Sequence, residues 1–171
     1  MALLAVAVVF AMVVLPAPSA PAAMDYTFHL LIQTSNKNSS QVRAIAPGNS
    51  IGEAGGYWAT TRFNSYGLDP THYPVYMDSP AIACTPGCII HVKSRVIHAY
   101  TLGDFFDVWG QPLGQNNTIG VPSKDTFQWE LCVGAVGNNV SSSEWGGLVL
   151  QDQMRITLFF YDTTALGCAP S

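Results

Sequence analysis

Apolar and polar positions along the chain follow the two-residue period of strands more often than the helical one. Between Tyr26 and Gln33, Tyr, Phe, Leu and Ile interleave with Thr, His, Leu and Gln. This imperfect alternation reads as a first strand, with Gln41 to Ala46 returning beside it across the polar Thr34 to Ser40 segment. Pro47 to Ser79 is dense in Gly, Pro, Asn and Tyr without a sustained period, which predicts a long surface loop with at most short strands. Cys88 to Ser94 and Val96 to Tyr100 are short β-branched runs and predict two further strands. Leu102, Phe105, Phe106 and Trp109 then fall at i, i+3, i+4 and i+7, one apolar stripe on a helix. Thr101 stands at its N-cap with Asp104 three residues on, Gly110 at the left-handed C-terminal position and Pro112 just beyond. Phe127 to Val136, a Gly137-Asn138-Asn139 turn, and Met154 to Tyr161 return to the strand pattern. The expected fold is α+β, mainly antiparallel β with one short helix over 101–110, and a β-grasp-like unit is the preferred arrangement.

The first part of the chain has a different pattern. Ala2 to Leu15 is apolar without a charge, followed by the small, proline-rich run Pro16 to Ala23. A spanning helix needs about 20 apolar residues, so this stretch reads better as the core of a secretory signal, with Ala20 and Ala22 as the small residues before a cut and Ala23 as the new first residue. No Lys or Arg precedes the run, so an uncleaved N-terminal anchor is the alternative. The remainder, 23–171, is expected to be a single secreted or otherwise extracytoplasmic domain, because no linker, charge block or repeat interrupts it.

Charge narrows the function classes. Only 11% of the 171 residues are charged, with 7 Lys and Arg against 11 Asp and Glu, and the basic residues are scattered singly. That leaves no basic field for a phosphate backbone, so nucleic acid is not an expected partner. With 49% apolar residues, disorder is not expected either.

Four cysteines behind an export signal predict two disulfides. In Cys84-Thr85-Pro86-Gly87-Cys88, Pro and Gly reverse the chain and bring the two cysteines face to face, so Cys84 is expected to pair with Cys88. Cys132 then pairs with Cys168 by elimination. The alternative is chemical: Cys84, Cys88 and His91 form C-x3-C-x2-H, and thiolate plus imidazole is a ligand set of copper and zinc.

No catalytic set is visible. Asp104 and Asp107 sit three apart on the helix, as cap and solvent face rather than an acid/base pair. No serine lies in a nucleophile elbow, and no two histidines have chelating spacing. His29, within an apolar strand, is expected to be a hydrogen-bonded core residue, and His72 lies in the loop beside Asp69 and Tyr73. Asn38, Asn116 and Asn139 begin glycan acceptor triplets, each in a predicted loop or turn.

The runs Ile89-Ile90-His91-Val92-Lys93-Ser94 and Tyr100 to Leu113 (YTLGDFFDVWGQPL) resemble a family of secreted prokaryotic proteins whose text is close to LHTHD-x-SG-IIHVES followed by YTLGDFF-x-VWGQPL. His29-Leu30, Ile45 to Gly48, Ser50-Ile51-Gly52 and Gly55 to Trp58 extend the resemblance over most of the exported part. The family's first strand carries an H-x-H pair and its hairpin another, which together look like a metal site. Here the first strand reads Thr27-Phe28-His29, and the hairpin histidines fall on Ile82 and Cys84. Two imidazoles do not fill a tetrahedral site. Either a metal site has been exchanged for a disulfide, or His29, Cys84, Cys88 and His91 recompose it for copper or zinc.

Three readings result. The first is an exported, non-catalytic binding domain that associates with other surface proteins or with itself, resting partly on 19 aromatic residues too numerous to be all core. The second is a copper- or zinc-binding protein. The third is an accessory subunit of a membrane complex, held by the N-terminal segment alone.

Overall fold

The computed structural model describes residues 21–36, 39–78, 84, 87–134 and 138–162. Of the expected export segment 1–22, residues 1–20 lie outside the described residues, as do Asn38, Ile82 and Cys168. The elements in chain order are β1 (Met24–Asn36), β2 (Ser39–Ala44), β3 (Ile51–Glu53), β4 (His72–Met77), β5 (Cys88–Ser94), α1 (Leu102–Trp109), β6 (Asn117–Thr118), β7 (Val121–Pro122), β8 (Phe127–Val133), β9 (Asn138–Asn139) and β10 (Arg155–Asp162). Apart from the small β6–β7 hairpin, they make one sheet in the order β3-β4-β5-β1-β10-β8-β9. β5 pairs with the first half of β1 and β2 with its far end, on the same side. β1 and β10 run parallel and every other pair is antiparallel, which makes the fold the expected α+β, mainly antiparallel type.

Alternation along the strands divides the sheet into two faces. Phe28, Leu30 and Ile32 of β1, Ile90 and Val92 of β5, Leu131 of β8, and Ile156 and Leu158 of β10 are buried on one face. α1 covers this inner face with Leu102, Phe105, Phe106 and Trp109, all buried as their spacing predicts. The Phe105 ring meets Phe28 edge-on at 6.4 Å between centroids. The capping box forms, with the Thr101 hydroxyl accepting from Asp104 N–H at 3.2 Å and the Asp104 carboxylate accepting from Thr101 N–H at 2.9 Å. Leu102 N–H and Gly103 N–H donate to the carbonyls of Leu148 and Gly146, so the first three amides of the helix all have acceptors. Gly110 closes it at φ 73°, and Gly110 N–H and Gln111 N–H both reach Phe106 O.

Four expectations change. Tyr73 to Met77 lies within a buried strand, β4, in what reads as loop; Pro74 argues against a strand, but the ladder partners are His72 and Met77 toward β3 and Val75 and Tyr76 toward β5. Val96 to Tyr100 is not a strand. The Ser94 hydroxyl accepts from Val96 N–H at 3.0 Å and from the Tyr100 hydroxyl at 2.9 Å, which turns the chain. Asn138 and Asn139 pair with β8 as β9 rather than forming only a turn. Among the described residues the aromatics are mostly core or core-packed, and Tyr57 is the exposed one.

Candidate functional site

On the outer face, α1 gives no cover. Ile89, His91 and Lys93 of β5 share this face with Thr27 and His29 of β1, since His29 pairs with Ile89 and Thr27 with His91. His29 is therefore a half-exposed outer-face residue, not a core histidine: its neighbours Phe28 and Leu30 take the inner positions of the same alternation. Tyr76 of β4 pairs with His91, and two-residue periodicity puts His72, Tyr76 and Asp78 on that side while Tyr73, Val75 and Met77 turn inward. β3 would not present Glu53 there if it were regular, because Ile51 and Glu53 would then face the same way. Gly52, at φ 68°, breaks the alternation: Ile51 stays in the core opposite Met77 and Glu53 comes opposite His72. No side chain fits at Gly52, where a Cβ would stand 2.9 Å from Val75 O.

These elements assemble a column of rings within a set of carboxylates. The Tyr76 ring lies 4.8 Å from His72 and 5.0 Å from His91, stacked at 17° on the latter. His72 Nδ1 is 3.0 Å from Asp69 Oδ1, and His72 Nε2 is 3.5 Å from Glu53 Oε1. His91 Nε2 is 3.2 Å from Asp78 Oδ2. Asp25 takes Lys93 at 3.7 Å, the one Lys or Arg ion pair of this edge among the described residues. Asp69 is held down at about 2, first by the Thr71 hydroxyl and then, against the opposing effect of burial, by His72. Burial first, and then the charges of Asp78, Asp25, Asp69 and Glu53, push Tyr76 up to about 12. Three carboxylates thus meet the two histidines that flank the Tyr76 ring.

The disulfide expected between Cys84 and Cys88 is present, with Cα atoms 4.4 Å apart. Cys132 is also disulfide-bonded, and Cys168 lies outside the described residues. The metal alternative over His29, Cys84, Cys88 and His91 is accordingly not assembled: the two sulfurs are joined to each other and offer no thiolates. Among the described residues, the group that brings atoms able to ligate a metal within 4.8 Å of one another is Glu53, His72 and Asp78. Of these, sequence reading noticed only His72 beside Asp69; Glu53 and Asp78 arrive through strand register and the Gly52 irregularity. Asp104 caps the helix and accepts from Arg62 at 3.4 Å, and Asp107 is exposed.

The expected glycan asparagines are placed as follows. Asn116 is exposed, while the hydroxyl of Thr118 in its triplet is buried and donates to Gly114 O at 2.8 Å. Asn139 is exposed and its Nδ2 donates to the Glu130 carboxylate. A cleft beside Asn139, walled by Trp129, Glu130, Trp145 and Tyr161, has its indole N–H groups already committed to Val121 O and Val140 O. The outer acidic edge is the better candidate, because three of its side chains bring atoms able to ligate a metal within 4.8 Å of one another. Comparison with known proteins returns no matching family model, no matching curated protein and no matching solved structure.

Proposed function

We propose that the chain is an exported, non-catalytic binding domain with a β-grasp-like centre, whose outer acidic edge takes a cationic ligand. The observation that carries this reading is the gathering of Glu53 and Asp69 on His72 and of Asp78 on His91, the two rings that flank Tyr76; among the described residues the ion pairs of these three carboxylates are all with histidines. Such an edge attracts positive charge, and its half-exposed groups are open to a ligand from solvent. The Cys84–Cys88 disulfide supports export to an oxidising compartment. The order β5-β1-β10-β8 around α1, with the central pair parallel, supports the β-grasp-like reading. The resemblance to the secreted prokaryotic family rests on the two sequence blocks quoted above.

Isothermal titration with zinc chloride and, separately, with a hexalysine peptide tests the reading. At least one should bind the wild-type chain, and Glu53→Gln/Asp78→Asn should weaken that binding roughly tenfold or more. If neither binds, or if the double variant binds as well as wild type, the acidic edge is not the ligand face.

Association with other surface proteins or with further copies is the second reading. Ile97, 82% exposed beside the exposed Val96, favours it.

A further inference from the structure

We propose that Glu53, His72 and Asp78 hold a divalent transition-metal ion, with Asp69 as the residue that positions His72 for it. The inference rests on the reading that the acidic edge takes a cationic ligand, and it names that ligand.

The ligand geometry is close to complete. Two ligand atoms at zinc's usual bond lengths, in tetrahedral arrangement, stand roughly 3.3–3.6 Å apart. His72 Nε2 and Glu53 Oε1 are 3.5 Å apart. The Asp78 oxygen lies within 4.8 Å of both, and a bound ion would have to draw this exposed side chain closer.

The imidazole is oriented from behind. Asp69 Oδ1 and Oδ2 are 3.0 and 3.1 Å from His72 Nδ1, and Asp69 is itself fixed by Thr71 N–H at 2.7 Å and the Thr71 hydroxyl at 2.5 Å. A carboxylate there calls for the proton on Nδ1, which leaves the lone pair on Nε2, on the side of Glu53. This is the carboxylate–histidine–metal arrangement, in which the outer partner fixes the tautomer and raises the basicity of the ligating nitrogen. With that tautomer, Nε2 and the Glu53 and Asp78 oxygens all present lone pairs to one another, and a cation between them resolves the repulsion. His91 steadies Asp78 from β5.

The charge balance agrees. Among the described residues the ion pairs of Glu53, Asp69 and Asp78 are all with histidines, so no Lys or Arg supplies the missing positive charge. Two ligating carboxylates neutralise a dication. One imidazole with two carboxylates suits zinc and its first-row neighbours, and three protein ligands leave a position for water or a further ligand. The rival is a second proton on His72, which would then bridge Asp69 and Glu53 as an imidazolium.

Equilibrium dialysis of the full chain against zinc chloride, and cobalt(II) absorption spectra, decide between them. One zinc per chain is expected; His72→Ala should lower affinity at least about 100-fold, and Asp69→Asn about 10- to 100-fold. Asp69→Asn should also shift the cobalt d–d bands, because it changes the tautomer and basicity of the ligating imidazole; a merely structural role would leave the spectrum of the bound metal as in wild type. Absence of zinc binding together with hexalysine binding at this edge overturns the metal and leaves the cationic-ligand reading standing. Absence of both overturns both. Zinc binding that survives His72→Ala, or an Asp69→Asn variant with wild-type spectrum and affinity, also contradicts the assignment.

Discussion

Phe105→Ala is expected to destabilise the domain by about 3–5 kcal/mol, the usual cost of removing a fully buried phenylalanine. Its ring is completely buried and meets Phe28 at 6.4 Å, Phe106 at 6.0 Å and Trp109 at 6.2 Å between centroids. These contacts place it where the helix joins the central strand. An eight-residue helix is too short to hold itself, so α1 forms only because this stripe packs on the sheet. The gap left by alanine is walled by strands on one side and two large rings on the other, neither of which can collapse into it. The loss is comparable with much of a domain's total stability. Denaturant unfolding monitored by tryptophan fluorescence measures it. A midpoint within experimental error of wild type would mean that α1 is held by something other than this packing.

Gly103→Ala is expected to cost about 2–3 kcal/mol, although alanine is the better helix former by about 1 kcal/mol. The reason lies across the chain rather than in the helix. Gly103 N–H donates to Gly146 O at 3.1 Å, and a Cβ at position 103 would stand 2.6 Å from that oxygen and 3.2 Å from the Gly146 Cα. Both obstacles are backbone, so no rotamer change relieves them. The 146–150 segment would have to withdraw and give up the Leu102 N–H to Leu148 O and Leu150 N–H to Tyr100 O bonds. Propensity and packing predict opposite signs, so thermal unfolding decides cleanly: a higher melting temperature would show that the 146–150 segment is not docked on the helix start.

The same opposition of local and long-range effects separates what could be read in the sequence from what could not. The helix was legible to its ends, because Thr101, Asp104 and Gly110 act within one turn of where they stand. The pairing of Cys84 with Cys88 was legible because Pro86 and Gly87 lie between them. β4 was not, since Pro74 is a local signal against a strand and the permissive ladder positions appear only when β3 and β5 are in place. Of the candidate site, the Asp69–His72 contact spans three residues and was visible as adjacency. Glu53 and Asp78 join it through the irregularity at Gly52 and the register of β4 against its neighbours, for which the linear order gives no cue. His29 was misassigned for a related reason: an apolar strand context does not reveal which of two faces is covered.

The central claim, that the acidic edge is where the protein meets a cationic ligand, is tested most directly by the imidazole resonances. The chain has four histidines, so a long-range proton–nitrogen correlation spectrum separates His72 and His91 at the edge from His29 on β1 and from His98, which packs against Phe63, Tyr66 and Tyr100. Recorded during titration with zinc chloride or hexalysine, whichever binds, the spectrum should show the largest changes at His72 and His91 and none at His98. Binding that leaves His72 and His91 unmoved, or that perturbs His29 or His98 most, would contradict the account.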